Sequence, residues 1–259
     1  MSYNPQDRDF LIEVEKGNVP GHSILNKFGF DGAVTNTLQA IADAQVYQTP
    51  TAAVSLEILS SDANDAAAGT GARTVEIEGL DANFAEQTQT VTMNGVTAAA
   101  ITGTWMRVFR VTVKQSGTYA SQSAGSHAGT LTVRVAGAGA TWATIGLTTA
   151  SFPMGQTEIG AYTIPAGKTG YLLSKHVSIE SSKTPNILWF RRENADDTSA
   201  PYDAMRLFQR HVGAADEISY SPHAPVLELP EKTDIGAMGY VGTGTAAISV
   251  DFQILLVDN

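Results

Sequence analysis

The stretch Ala247–Val257, AISVDFQILLV, places Ile248, Val250, Phe252 and Ile254 at every second position, with Ser249, Asp251 and Gln253 between them. Side chains of a strand point alternately to opposite faces, so a period of two buries one row and leaves the other in water. The stretch therefore predicts a long half-buried strand that holds this end of the chain in a sheet. The same period appears where Val54, Leu56 and Ile58 alternate with Ser55 and Glu57. It appears again where Val75 and Ile77 alternate with Thr74, Glu76 and Glu78.

Working outward, further strands are predicted at Thr88–Met93, Trp105–Val113, Thr130–Val135 and Thr141–Leu147, with Asn94-Gly95 as a turn after the first of these. A second series is predicted at Glu158–Ile164, Gly170–Glu180, Asn186–Arg191, Ala204–Val212 and Val226–Leu229. Glycines at Gly69-Thr70-Gly71, Gly125–Gly129 and Gly137-Ala138-Gly139 supply reversals where a helix would be costly. One short helix is predicted between Thr35 and Gln45, where Leu38, Ile41, Ala42 and Gln45 fall at helical spacing.

The expected architecture is all-β. It is read as an antiparallel β-sandwich of jelly-roll or Ig-like type, either one large sandwich or two consecutive ones. Residues 1–34 read as an extended arm broken by Gly17, Pro20, Gly21 and Gly29-Phe30-Asp31-Gly32. A β-rich region follows over 35–152 and a second over 153–259, with Phe152-Pro153-Met154-Gly155 as the linker or crossover. A broken arm packs poorly by itself, so Phe10, Leu11, Ile12, Val14, Val19, Pro20, His22, Phe28 and Phe30 are its candidate partner-binding residues.

Composition narrows the function. The formal net charge of -10 opposes binding to nucleic acid, which rests on Lys and Arg at phosphates. Arg191 and Arg192 stand beside Glu193, Asp196 and Asp197 and read as strand-end charge. With no cysteine, neither disulfides nor thiolate metal sites hold the fold, as suits synthesis in a cytoplasm. The first nine residues lack an apolar signal core, and no run approaches the ~20 apolar residues that span a bilayer.

The motifs that could carry chemistry do not assemble. Gly242-Thr243-Gly244-Thr245-Ala246-Ala247 matches a dinucleotide fingerprint, but a strand and not a helix follows, so it reads as a hairpin. Gly167-Lys168-Thr169 lacks the earlier glycine of a phosphate loop, having Tyr162 there, and reads as a turn. His22, His127, His176, His211 and His223 lack the spacing of a metal site. Asp62, Asn64 and Asp65 lack the terminal Glu of a calcium loop and read as turn-closing side chains. Gly125-Ser126-His127-Ala128-Gly129 lies between strands and is no nucleophile elbow. Trp105, Trp142 and Trp189 sit in strand-like segments and read as packing residues. No catalytic residue, cofactor or metal is expected, and no enzyme.

Several segments resemble a family of tailed-phage virion structural proteins of β-rich, collar or decoration type. They are Glu15–Ser23 (EKGNVPGHS), Asp65–Val75 (DAAAGTGARTV), Gly79–Phe84 (GLDANF), Ile164–Thr169 (IPAGKT) and Leu255–Asn259 (LLVDN). The resemblance implies a virion location after assembly in the host cytoplasm. The expected function is a structural component that assembles as a homo-oligomer on the capsid surface, as decoration or cement, or at the head-tail collar. Its expected partners are its own copies and other virion proteins of the capsid, portal, neck or tail, with no nucleic acid and no membrane. The alternative is a receptor-binding module of a tail fibre or spike, with Tyr119, Tyr202 or Tyr220 stacking on a host surface glycan.

Overall fold

The computed structural model describes residues 9–119, 125–147, 155–179, 183–213, 217–220 and 226–259, without the side chains of 217–220. One helix, α1 (Phe10–Glu15), leads into β1 (His22–Val34), β2 (Gln39–Ala40), β3 (Val54–Ser60), β4 (Ala72–Leu80), β5 (Glu86–Thr92) and β6 (Ala99–Trp105). Then come β7 (Arg107–Ser116), β8 (Leu131–Val135), β9 (Thr141–Ile145), β10 (Ala161–Thr163), β11 (Lys168–Ile179) and β12 (Asn186–Arg192). The chain closes with β13 (Arg206–His211), β14 (Glu217–Tyr220), β15 (Leu227–Leu229), β16 (Asp234–Tyr240) and β17 (Ala246–Asp258). The fold is all-β, and its strand pairs are antiparallel.

Among the described residues the strands form four sheets. The first runs β1-β17-β11-β14, with β15 also on β11, and the second runs β10-β16-β12-β13, with β2 on β16. The third runs β6-β3-β8-β9 and the fourth β5-β4-β7. Four sheets make a four-blade, propeller-like arrangement where a sandwich was expected. Alternation within a strand says which residues face inward but not how many sheets the strands divide into, which is why the expectation missed it.

Two cores form. One draws on Ile248, Val250, Phe252 and Ile254 of β17 together with Ile187 and Trp189 of β12 and Ile235 of β16. The Trp189 and Phe252 rings meet edge to face at 5.8 Å. The other draws on Leu56 and Ile58 of β3 and Val133 of β8 together with Val75 and Ile77 of β4 and Val111 of β7. The alternating rows read from the sequence thus lie inward, and Trp105, Trp142 and Trp189 are buried among them.

The N-terminal segment departs from the expected arm. Asp9 caps α1, its carboxylate accepting from the amides of Leu11 at 2.9 Å and Ile12 at 3.4 Å, and Gly17 ends the turn at φ +73°. Residues 22–34 then pair with β17 as the terminal strand of the first sheet. Close approach permits this: a Cβ on Gly29 would stand 2.2 Å from the Gly160 amide nitrogen. The helix expected over 35–45 is absent. Ile41 donates its amide to Ala237 O and accepts from Gly160 N, and this edge pairing overrides the local helical spacing.

Besides β1 and β2, three strands escaped the sequence reading. β6 has Gly103 interrupting its apolar row of Ile101 and Trp105, β14 is short, and β16 contains Gly236, Ala237 and Gly239. Those small residues bring β16 close to its neighbours, since a Cβ on Gly236 would lie 2.7 Å from that of Ala161. Gly242–Thr245 joins β16 to β17, and these lie in different sheets, so the expected hairpin is a crossover between sheets. Of the expected linker, residues 152–154 lie outside the described residues.

A buried ion pair joins the two cores. Arg107 on β7 points Nη2 at Asp234 Oδ2 and Nε at Asp234 Oδ1, each at 3.0 Å, with both side chains fully buried. Thr163 Oγ1 donates to the same carboxylate, Tyr47 OH meets Thr163 Oγ1 at 2.7 Å, and Arg107 Nη1 donates to Met106 O. Removing one partner strands a charge in the interior, whereas replacing both with apolar groups removes the desolvation cost as well. Asp234→Ala is expected to lower unfolding free energy by about 3–5 kcal/mol in urea titration. The double change Arg107→Met with Asp234→Leu should recover most of that loss, and an equal loss in both would sink this account.

Candidate functional site

β1 inverts the usual strand pattern. Its inward row is Lys27, Gly29 and Asp31, all buried, while Phe28 on the opposite face is 41% exposed. Two buried charges on a terminal strand require partners. Asp31 accepts from the Ala33 amide at 2.8 Å and from Gln39 Nε2, which organises the turn after β1. Lys27 Nζ donates to Phe109 O on β7 at 2.7 Å, and Arg110 Nη2 returns the link by donating to Asn26 O at 2.8 Å. These bonds stitch the first sheet to the fourth.

Beside Lys27 lies a cavity of about 100 Å³. Its inner end is Lys27, Phe109 and Tyr162, its walls include Glu78 and Arg110, and its rim is the exposed pair Glu86 and Thr88. Burial pushes the Lys27 ammonium down to about 7, helped by the Arg110 charge and opposed by Glu78. The same burial raises the Tyr162 phenol. Nearby, Glu158 is raised to about 7 by partial burial and by the Asp43 carboxylate.

The proposed arm residues divide. Phe10, Leu11 and Ile12 are exposed on α1, and Phe10 packs edge to face on His22 at 5.8 Å. Val14 is buried and holds α1 down, so it is unavailable to a partner. Val19 and Pro20 lie in the turn before β1, where Pro20 O meets His22 Nδ1 at 2.9 Å, and Phe30 is half-buried. The sequence reading passed over Lys27, Asp31, Arg107 and Asp234. For the first two a signal existed: Lys27-Phe28-Gly29-Phe30-Asp31 has period two, with the charges sharing one face.

Other candidates settle into structural roles. Asp65 is fully buried and accepts from Ser60 Oγ and from the amides of Ala72, Ala128 and Gly129. Asp62 closes a turn on the Asn64 amide at 2.8 Å. Ser126 Oγ stands 3.2 Å from its neighbour His127 Nδ1, whose Nε2 faces Gly146 O at 3.4 Å, and burial lowers that histidine's pKa. His176 pairs with Asp251 at 3.0 Å, while His223 lies outside the described residues. Among the described residues no three His, Asp or Glu side chains converge as for a metal ion. Tyr119 and Tyr202 are exposed, and the Tyr220 side chain lies outside the described ones.

Lys27 and Glu158 make stability depend on pH in opposite directions. Glu158 keeps its proton longer when folded, so stability falls as pH rises from about 4.5 to about 7. Lys27 loses its proton earlier when folded, so stability rises from about pH 7 to about 10.5. Urea unfolding across pH is expected to show a minimum near neutrality. Glu158→Gln should flatten the acid side and Lys27→Met the alkaline side; slopes unchanged by both variants would refute the assignment.

No family model matches the chain, and no curated protein does. Among solved structures, an isomalto-dextranase of Arthrobacter globiformis T6 complexed with panose is 12% identical with a TM-score of 0.22, over 86% of this chain and 35% of that one. The T=1 particles derived from infectious bursal virus give 10% identity and a TM-score of 0.21, over 92% of this chain and 74% of that one. This chain thus spans about a third of the enzyme's length, and at such TM-scores neither likeness bears on fold or function.

Proposed function

We propose that the chain is a non-enzymatic structural component of a tailed-phage virion, assembling as a homo-oligomer on the capsid surface or at the head-tail collar. The virion setting rests on the resemblance of the five segments quoted above. The assembly role rests on one observation, the inverted pattern of β1 and α1. A strand that buries Lys27 and Asp31 while leaving Phe28 in water, and a helix that leaves Phe10, Leu11 and Ile12 exposed, offer apolar area that another surface can bury.

Phe28→Asp and Ile12→Asp place a charge on this surface without touching either core. Light scattering after size exclusion is expected to give an oligomer for the parent chain and a monomer for the double variant, with melting temperatures within a few degrees. A parent chain that stays monomeric at high concentration would defeat the assembly role. Absence of the chain's density from maps of intact particles would defeat the virion setting.

A further inference from the structure

The cavity beside Lys27 serves neither packing nor the proposed assembly. It runs from the exposed rim at Glu86 and Thr88 to a buried amine whose described hydrogen bond, to Phe109 O, engages one N–H. At about 100 Å³ it admits a molecule of a few heavy atoms and excludes an aromatic ring with substituents. We propose that Lys27 is a nucleophilic amine that forms a Schiff base with a small aldehyde or ketone entering this cavity.

The chemistry balances without an oxidant. The Nζ lone pair bonds to the carbonyl carbon, the C=O π pair moves to oxygen, and that oxygen takes up a proton as nitrogen gives one up. The carbinolamine hydroxyl then takes a second proton from solvent and leaves as water, while nitrogen donates its pair to form the iminium. The iminium keeps one N–H for Phe109 O, and its charge lies near Glu78. Burial supports the step: with its pKa lowered to about 7, half of Lys27 is neutral at pH 7, against on the order of one in a few thousand for an ordinary lysine.

The test exposes the intact folded protein to acetaldehyde and cyanoborohydride near pH 7 and maps alkylated lysines by peptide mass spectrometry. Lys27 is expected to react at least about tenfold faster than exposed Lys16 and Lys114, given its larger neutral fraction. Pyridoxal phosphate, too large for the cavity, should leave it unlabelled. Labelling of Lys27 no faster than Lys114 overturns the proposal. So does equal labelling of Lys27 by the bulky aldehyde, which would mean that the segment opens.

Discussion

The Arg107–Asp234 pair is the constraint on which the remaining arrangement depends. Both charges are fully out of water, and their attraction offsets the lost hydration only when the geometry is good and the remaining donors and acceptors are satisfied. Here the carboxylate accepts two guanidinium N–H groups and the Thr163 hydroxyl, while the guanidinium also reaches Met106 O and lies over the Phe84 ring at 5.4 Å. Arg107, Thr163 and Asp234 come from β7, β10 and β16, so satisfying the pair fixes the fourth sheet against the second. An apolar core tolerates small slips, whereas this network does not, because a slip of an ångström leaves a buried charge unpaired.

A second joint follows the same logic at lower stakes. Lys27 and Arg110 exchange hydrogen bonds with main-chain carbonyls across the contact between β1 and β7. A neutral amine can serve this joint, and burial favours that form, so the contact tightens without an ion pair. Where the main chains approach closely, at Gly29 and Gly160, no side chain fits, and hydrogen bonds to Glu158 O and Ile41 O take its place. Glycine here is a packing requirement, and it explains why the segment read as broken when viewed without its neighbours.

Much of the fold was legible where packing is two-faced. β3, β4, β8 and β17 alternate apolar and polar residues, so local text carries their period. β1 and β16 were illegible for opposite reasons. β1 has charges on its inward face and phenylalanine outside, and β16 uses glycine and alanine where an ordinary strand has branched residues. The helix was misplaced because a single apolar spacing at Leu38–Gln45 outweighed the Asp9 cap and Gly17 stop of the real one. Of the site, the exposed apolar residues were found, but the buried lysine between them was not.

By itself, the sequence determined the β class, most strand positions, the inward rows of both cores and the burial of the tryptophans, because all of these follow from which side chains avoid water at period two. Only the tertiary structure decided the division into four sheets, the pairing of β1 with β17, the crossover at Gly242 and the cavity at Lys27. Each of these depends on which distant strand supplies a partner, and Arg107 and Asp234, 127 positions apart, carry no mark of each other in the local text.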